Sequence, residues 1–183
     1  NETYMRYPGK AYAVVTNIET GKPEYLRVKD GFADLVKVRA SASLPLVSRN
    51  VEIDGKLYLD GGISDAIPIQ KSILDGNDRN IVILTKEVGY VRQPSSQLGL
   101  IKMRYRKFPK VYELMKKRHT AYNDTMDFLR RQQENGQAFV IQPKKPSDVG
   151  RLEKDPKKIE ALYMEGYQDA QDCYEQMIQY LES

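Results

Sequence analysis

One short segment of the chain carries a carboxylate whose position could suit acid–base chemistry. Asp60-Gly61-Gly62 directly follows a predicted strand at residues 56–59. A carboxylate can act as a general base when it lies within hydrogen-bond reach of a hydroxyl group, and partial desolvation raises its pKa toward the working range. The two glycines let the chain turn sharply, which leaves the carboxylate at the carboxyl end of the strand. By themselves, Asp60, Gly61 and Gly62 favour an ordinary turn; a general base at Asp60 is the alternative.

The remaining candidates for chemistry are few. The chain has one histidine, His119, and one cysteine, Cys173. A disulfide within the chain and a Cys- or His-rich metal site are therefore excluded. We predict His119 as a solvated helix residue and Cys173 as a packing residue. Three serines close to the Asp-Gly-Gly turn are disfavoured as nucleophiles: Ser41, Ser43 and Ser64.

The elements that must position this segment alternate along the chain. Strands are predicted over residues 11–18, 24–28, 51–53, 56–59, 80–85 and 138–141. Helices are predicted over residues 33–42, 67–75, 108–133 and 155–181. Asp54-Gly55 is the strongest two-residue hairpin signal, because both turn positions need a positive φ. The last two strands are continuously apolar, which is typical of parallel strands buried on both faces. The order predicts an α/β fold with a mostly parallel sheet.

Charge is unevenly placed. The net charge is +4, and basic residues are concentrated between residues 98 and 122. Three interpretations of this stretch are open: a solvated helix face, a surface for anionic lipid headgroups, or nucleic-acid binding. No recognised nucleic-acid motif accompanies the charge, so nucleic acid is not a predicted partner. The predicted lipid contacts are Lys102, Arg104, Arg106 and Lys107.

The ordered set of motifs between residues 40 and 76 resembles the second half of the patatin-like phospholipase family. The family pattern is an Ala-Ser-x-Ser-x-Pro segment, an Asp-Gly-x-x-Tyr hairpin, an Asp-Gly-Gly turn and then Ile-Pro. The matching residues are Ala40, Ser41, Ser43 and Pro45; Asp54, Gly55 and Tyr58; Asp60, Gly61 and Gly62; Ile67 and Pro68. The run 143–170, which contains Arg151-Leu152-Glu153, is similar to the tail of a bacterial subgroup of the family.

The resemblance implies a Ser–Asp dyad that hydrolyses lipid acyl esters without a metal or cofactor. It implies Asp60 as the catalytic aspartate and Gly61 and Gly62 as the turn that supports it. The family's Gly-x-Ser-x-Gly elbow and glycine-rich oxyanion loop are absent from this sequence. The expected partners are therefore a missing N-terminal half of the same protein, a lipid or acyl ester, an anionic membrane surface and a second copy of the chain. We expect the chain alone to be inactive. We expect the protein to be cytoplasmic and peripheral to the membrane. A non-catalytic binding or regulatory module of the same fold is the alternative.

The resemblance also implies a division of the chain. Residues 1–100 are predicted as the C-terminal portion of a three-layer patatin-like sandwich that carries the Asp-Gly-Gly aspartate. Residues 101–183 are predicted as a helical extension with one short strand, packed on that core. The chain begins at Asn1 without an initiator methionine, from which we predict a piece of a longer protein.

Overall fold

The computed structural model describes residues 2–150 and 153–183, and the chain divides into two compact units. The first unit joins the residues up to Pro68 with Arg92–Asp124, and the second joins Ile69–Val91 with Thr125–Ser183. Each unit therefore draws on two separate stretches of chain. The predicted division into residues 1–100 and 101–183 stays a prediction. Arg151 and Leu152, which belong to the run compared with the bacterial tail, lie outside the described residues.

The described residues contain both helices and strands. The helices are α1 (Glu2–Arg6), α2 (Leu35–Ser41), α3 (Ile69–Leu74), α4 (Leu98–Arg104), α5 (Pro109–Glu134), α6 (Pro156–Asp172) and α7 (Tyr174–Glu182). The strands are β1 (Ala11–Asn17), β2 (Pro23–Val28), β3 (Val51–Ile53), β4 (Lys56–Asp60), β5 (Asn80–Ile83) and β6 (Ala138–Ile141). A 3₁₀ turn, Gly61–Ile63, follows β4. The helices predicted at 33–42, 67–75 and 108–133 are confirmed as α2, α3 and α5.

The first four strands form an antiparallel sheet in the order β2-β1-β4-β3. Tight turns impose this arrangement. Gly21 lies between β1 and β2 with φ 68°, and Asp54 and Gly55 join β3 to β4 with φ 51° and 74°. Connections this short can join only antiparallel neighbours. The predicted mostly parallel sheet is therefore wrong for these strands, whereas the Asp54-Gly55 hairpin is confirmed.

Helical residues of the first unit pack on both faces of this sheet. On one face, Tyr58 of β4 packs with Val15 of β1 and Ala40 of α2. On the other face, Leu59 packs with Ile101 of α4 and Val111 of α5. Successive strand residues point to opposite faces, so the neighbours Tyr58 and Leu59 enter different clusters. A mixed α/β fold is confirmed, and the complete three-layer sandwich stays a prediction.

The second unit contains a parallel pair of strands. Asn80 of β5 lies opposite Ala138 of β6, and Ile83 lies opposite Ile141. The parallel direction predicted for these strands is confirmed. The predicted burial of β5 on both faces is wrong, because Ile81 and Ile83 are 38% and 74% exposed. Within residues 2–150 and 153–183, β5 has a single neighbouring strand, and most of the Ile83 side chain is left uncovered.

The C-terminal part is helical, as predicted, but the last helix is divided. Asp155 caps the start of α6 by accepting a hydrogen bond from the Lys157 backbone N–H at 3.0 Å. Cys173, with φ −114° and ψ 6°, separates α6 from α7. Tyr163 and Tyr167 stack with ring centroids 6.5 Å apart and remain 67% and 52% exposed. The large apolar side chains of α6 are therefore mostly exposed. No helix of the described ranges is long and apolar enough to cross a membrane.

Candidate active site

Asp60 is the last residue of β4 and lies opposite Val15 of β1. Its backbone is fixed on both sides. The Asp60 N–H donates to the Ser43 carbonyl oxygen at 2.9 Å, and the Asp60 carbonyl oxygen accepts from the Thr16 hydroxyl at 2.8 Å. The segment after α2 and the central strand β1 therefore meet at this residue. Asp60 lies at the carboxyl end of its strand, as the sequence predicts, and its catalytic role stays a prediction.

The Asp60 carboxylate is held by the turn that follows it. Its Oδ1 accepts a hydrogen bond from the Gly62 backbone N–H at 2.6 Å. The side chain thereby caps the 3₁₀ turn, since it satisfies a backbone donor that has no partner inside the turn. In the described part of the chain, Oδ2 has no hydrogen-bond partner. Asp60 as a whole residue is only partly buried.

Gly61 is needed because the backbone passes very close to β1, and Gly62 leaves room for the Asp60 carboxylate. A Cβ atom on Gly61 would lie 2.2 Å from the Val14 carbonyl oxygen, a separation at which backbone atoms must move. A Cβ atom on Gly62 would lie 3.0 Å from Asp60 Oδ1. Neither glycine has a positive φ. Their function in the turn is therefore close approach, and the predicted sharp turn does not depend on a left-handed backbone.

A chain of two hydroxyl groups secures the turn from the opposite face of the sheet. The Thr16 hydroxyl donates its hydrogen to the Asp60 carbonyl oxygen. Its oxygen is also 2.8 Å from Ser64 Oγ. A hydroxyl has one hydrogen to donate, so Ser64 must be the donor in this second contact. The Ser64 hydrogen is therefore directed at Thr16 and away from the Asp60 carboxylate.

Arg118 approaches the turn from α5. Its Nε donates to the Gly62 carbonyl oxygen at 2.7 Å. Its Nη2 lies 3.4 Å from the point that a Cβ atom on Gly62 would occupy. Arg118 is partly buried. The sequence marks this residue only as part of the basic stretch, because a contact across 56 positions leaves no local signal.

The serines near the turn do not form a dyad with Asp60. Ser43 is buried, and its hydroxyl donates to the Arg39 carbonyl oxygen at 2.7 Å. Ser64 donates to Thr16. Across residues 2–150 and 153–183, no serine hydroxyl is hydrogen-bonded to the Asp60 carboxylate. No group of three or more His, Cys, Asp or Glu residues in those ranges could hold a metal ion.

His119 differs from the prediction of a solvated residue. Its Nδ1 is buried and has no hydrogen-bond partner among the described residues. The helical spacing explains this position. His119 is four residues after Met115 on α5, and Met115 is 7% exposed in the core of the first unit, so both residues point to a similar side of the helix.

A second polar cluster, around Glu24 of β2, has no signal in the sequence and was not predicted. Glu24 accepts hydrogen bonds from the Tyr58 hydroxyl at 2.7 Å and the Asn17 amide at 2.9 Å, and Lys56 Nζ lies 3.6 Å away. Burial raises the pKa of the Glu24 carboxyl, but these hydrogen bonds and the Lys56 charge outweigh burial and leave the pKa below its usual value. Burial and the Glu24 carboxylate raise the pKa of the Tyr58 hydroxyl well above its usual value. Tyr58 therefore stays protonated and donates to Glu24.

The predicted lipid contacts lie together at α4 and the residues after it. All four basic side chains are exposed: Lys102, Arg104, Arg106 and Lys107. Two apolar residues of α4 are exposed among them, with Leu100 at 54% and Met103 at 69%. Ile101 of the same helix is 1% exposed and belongs to the core. Helix α4 therefore has one face in the core and a second face that combines apolar and basic side chains.

Two family models match separate parts of the chain. Residues 12–72 match the family described as patatin-like phospholipase. This region contains the whole Asp60 turn and supports the relationship expected from the motifs. Residues 108–182 match a domain of unknown function, DUF6363. Arg118 falls within this second region.

A bacterial protein is similar to a large part of the chain. An uncharacterized protein of Escherichia coli (strain K12), YjjU, is 31% identical over 125 residues, which is 67% of this chain and 34% of the relative. The chain therefore spans about a third of the length of this relative.

Proposed function

We propose that this chain supplies the aspartate of a Ser–Asp dyad in a patatin-like acyl hydrolase. The observation that carries the proposal is the state of the Asp60 carboxylate. Oδ1 is fixed by the Gly62 N–H at 2.6 Å, and Oδ2 has no partner among the described residues. The match of residues 12–72 to patatin-like phospholipases supports the same assignment. A general base needs this combination of fixed orientation and an oxygen that can accept a proton.

The proposed reaction needs a serine from outside this chain. Asp60 Oδ2 takes the hydroxyl proton as the serine oxygen attacks the ester carbonyl carbon. The alcohol then leaves and takes the proton from Asp60, and the acyl group remains on the serine. Water attacks the acyl-enzyme in the same way, which releases the fatty acid and restores the serine and the carboxylate. The serine and the oxyanion donors are proposed to come from the N-terminal half of a longer protein.

The second unit supports a missing partner of this kind. The apolar side chains of Ile81 and Ile83 are exposed, and β5 has one neighbouring strand in the described part of the chain. An unpaired strand edge with apolar side chains is normally covered by a further strand or helix. The same half that supplies the serine is proposed to cover β5.

Asp60→Asn in the longer protein tests the proposal. The amide keeps the shape of the side chain but cannot take up the proton, so hydrolysis of p-nitrophenyl acyl esters should fall by about 10²–10⁴-fold. Asp54→Asn is the matched control, because Asp54 occupies a hairpin turn with a positive φ that asparagine also adopts. The isolated chain should show no turnover above background.

Two outcomes would contradict the proposal. Turnover by the isolated chain that Asp60→Asn abolishes would show that a nucleophile lies within these residues. The non-catalytic module is favoured if the longer protein hydrolyses no acyl ester and if Asp60→Asn does not change its lipid binding.

We also propose that α4 meets an anionic lipid surface. Exposed Leu100 and Met103 among four basic side chains form the combination with which interfacial helices bind lipid. Changing Lys102, Arg104, Arg106 and Lys107 together to Gln should strongly reduce co-sedimentation of the longer protein with vesicles that contain phosphatidylserine, because each basic residue adds about 1 kcal/mol of attraction. The control changes four other exposed basic residues: Lys116, Lys117, Arg130 and Arg131. Equal losses in the two variants would rule out a specific α4 surface.

A further inference from the structure

We infer that Arg118 is a positioning residue that fixes the orientation of the Asp60 carboxylate through Gly62. This inference rests on the proposed hydrolase function. Arg118 Nε donates to the Gly62 carbonyl oxygen at 2.7 Å, while the Gly62 N–H donates to Asp60 Oδ1 at 2.6 Å. Gly62 is thus held at both of its backbone polar groups. Without the bond to its carbonyl group, Gly62 is held only from one side and has more freedom to turn the N–H that orients the carboxylate.

The guanidinium group also packs against the turn. Its Nη2 lies 3.4 Å from the position of a Cβ atom on Gly62, and Asp60 Oδ1 lies 3.0 Å from the same position. The carboxylate oxygen and the guanidinium therefore lie on the same side of Gly62. The planar guanidinium donates from a fixed fork, whereas a lysine ammonium is a single point on a flexible stem. Lysine can keep the charge at this position but cannot reproduce the orientation.

Helix α5 gives Arg118 a defined position. Met115 and Tyr122, which lie three residues before and four residues after Arg118, are each 7% exposed. Residues at this spacing lie on one face of a helix, so the side that packs into the first unit also directs Arg118 toward the turn. Val111, one turn before Met115, is 0% exposed in the same core cluster as Leu59 of β4. The contact with Gly62 is therefore supported by packing on the strand that carries Asp60.

The inference assigns a part in the site to a region without an assigned function. Asp60 and Gly62 lie in the match to patatin-like phospholipases, and Arg118 lies in the match to the domain of unknown function. Residues up to Asp124 of the latter match belong to the same compact unit as the turn. The first half of α5 therefore supports the Asp60 turn and is not only an appended helix.

Arg118→Ala in the longer protein tests this inference. A displaced base lowers the rate of the chemical step, so kcat should fall by about 10–100-fold while KM changes less than about twofold. Arg118→Lys should recover little of the loss, because it lacks the fixed fork. Added guanidinium salt should restore part of the activity of Arg118→Ala and none of that of Asp60→Asn. The control is Arg131→Ala, an exposed arginine of the same helix, which should behave as the wild type.

A second measurement does not depend on hydrolysis. In the isolated chain, Arg118→Ala should speed hydrogen exchange of the Gly62 amide by about tenfold or more, with the amides of β1 unchanged. If the wild-type longer protein is inactive, the proposed function fails, and this measurement still decides whether Arg118 holds the turn. The inference is overturned if Arg118→Ala leaves Gly62 exchange or kcat unchanged. It is also overturned if Arg118→Lys recovers full activity, or if protection is lost evenly over the whole first unit.

Discussion

The two units contain similar apolar strands but bury them to different extents. Leu59 of β4 is 0% exposed, and Ile83 of β5 is 74% exposed. Strand β4 lies between β1 and β3 and has helical residues packed on both faces, whereas β5 has one neighbouring strand in the described ranges. The apolar character of a strand therefore does not decide its burial. The neighbours that the chain brings to it do.

Two alanine substitutions would test this difference most directly. Leu59→Ala should lower the free energy of unfolding by about 2–5 kcal/mol, because it leaves a cavity in a closed core. Ile83→Ala removes an exposed side chain and should change the free energy of unfolding by less than about 0.5 kcal/mol. Urea unfolding followed by circular dichroism measures both values. An Ile83→Ala effect as large as that of Leu59→Ala would show that β5 is covered in solution. If that effect grew with protein concentration, the cover would be the predicted second copy of the chain.

The polar contacts of the units provide a smaller test. In the first unit, Tyr58→Phe removes a hydrogen bond to the Glu24 carboxylate and should cost about 1.5–3 kcal/mol at pH 7. The pKa of Glu24 is below its usual value of 4.5, so the stability that this carboxylate contributes is present above that pH and is lost as the pH falls through the folded pKa. The difference between Tyr58→Phe and the wild type should therefore shrink in acid, as measured by urea unfolding across pH.

The matched change in the second unit is Lys144→Gln. Lys144 pairs with Asp172 at 2.5 Å, but its side chain is 64% exposed. Exposed pairs contribute little and are screened by salt. The effect of Lys144→Gln should thus be the smaller of the two, and it should disappear in concentrated NaCl. A salt-resistant loss that exceeds that of Tyr58→Phe would contradict the contrast drawn between the units.

Local signals in the sequence predicted local structure well. Asp54-Gly55 predicted its hairpin because few residues adopt a positive φ at two successive positions, and Asp155-Pro156 predicted the start of α6 because a side-chain oxygen must satisfy free backbone donors. The Asp60 turn was located for similar reasons. The sequence does not predict the antiparallel direction of the large sheet, although Asp54-Gly55 predicts the hairpin that joins two of its strands. The continuous apolar runs of β5 and β6 favour parallel pairing, but they describe only their own pair.

Contacts that depend on distant residues could not be predicted. Arg118 reaches Gly62 across 56 positions, and the Ser64–Thr16 contact spans 48 positions. In the sequence, Arg118 is one basic residue among many, and only the packing of α5 distinguishes it. The exposure of Tyr163 and Tyr167 also depends on distant residues. Their spacing predicts an apolar face, but spacing does not tell whether any other segment covers that face.

The pairing of β5 with β6 has a consequence for the order in which the chain folds. The hairpins of the first unit close over a few residues, so their ends meet at small entropic cost. Asn80 can pair with Ala138 only after the whole segment containing α4 and α5 has been brought back. Contacts between residues far apart in sequence form slowly, and unpaired strands stay accessible to other chains in the meantime. The parallel pair is therefore expected to form last, so β5 and β6 are the segments most exposed to misassembly while the chain folds.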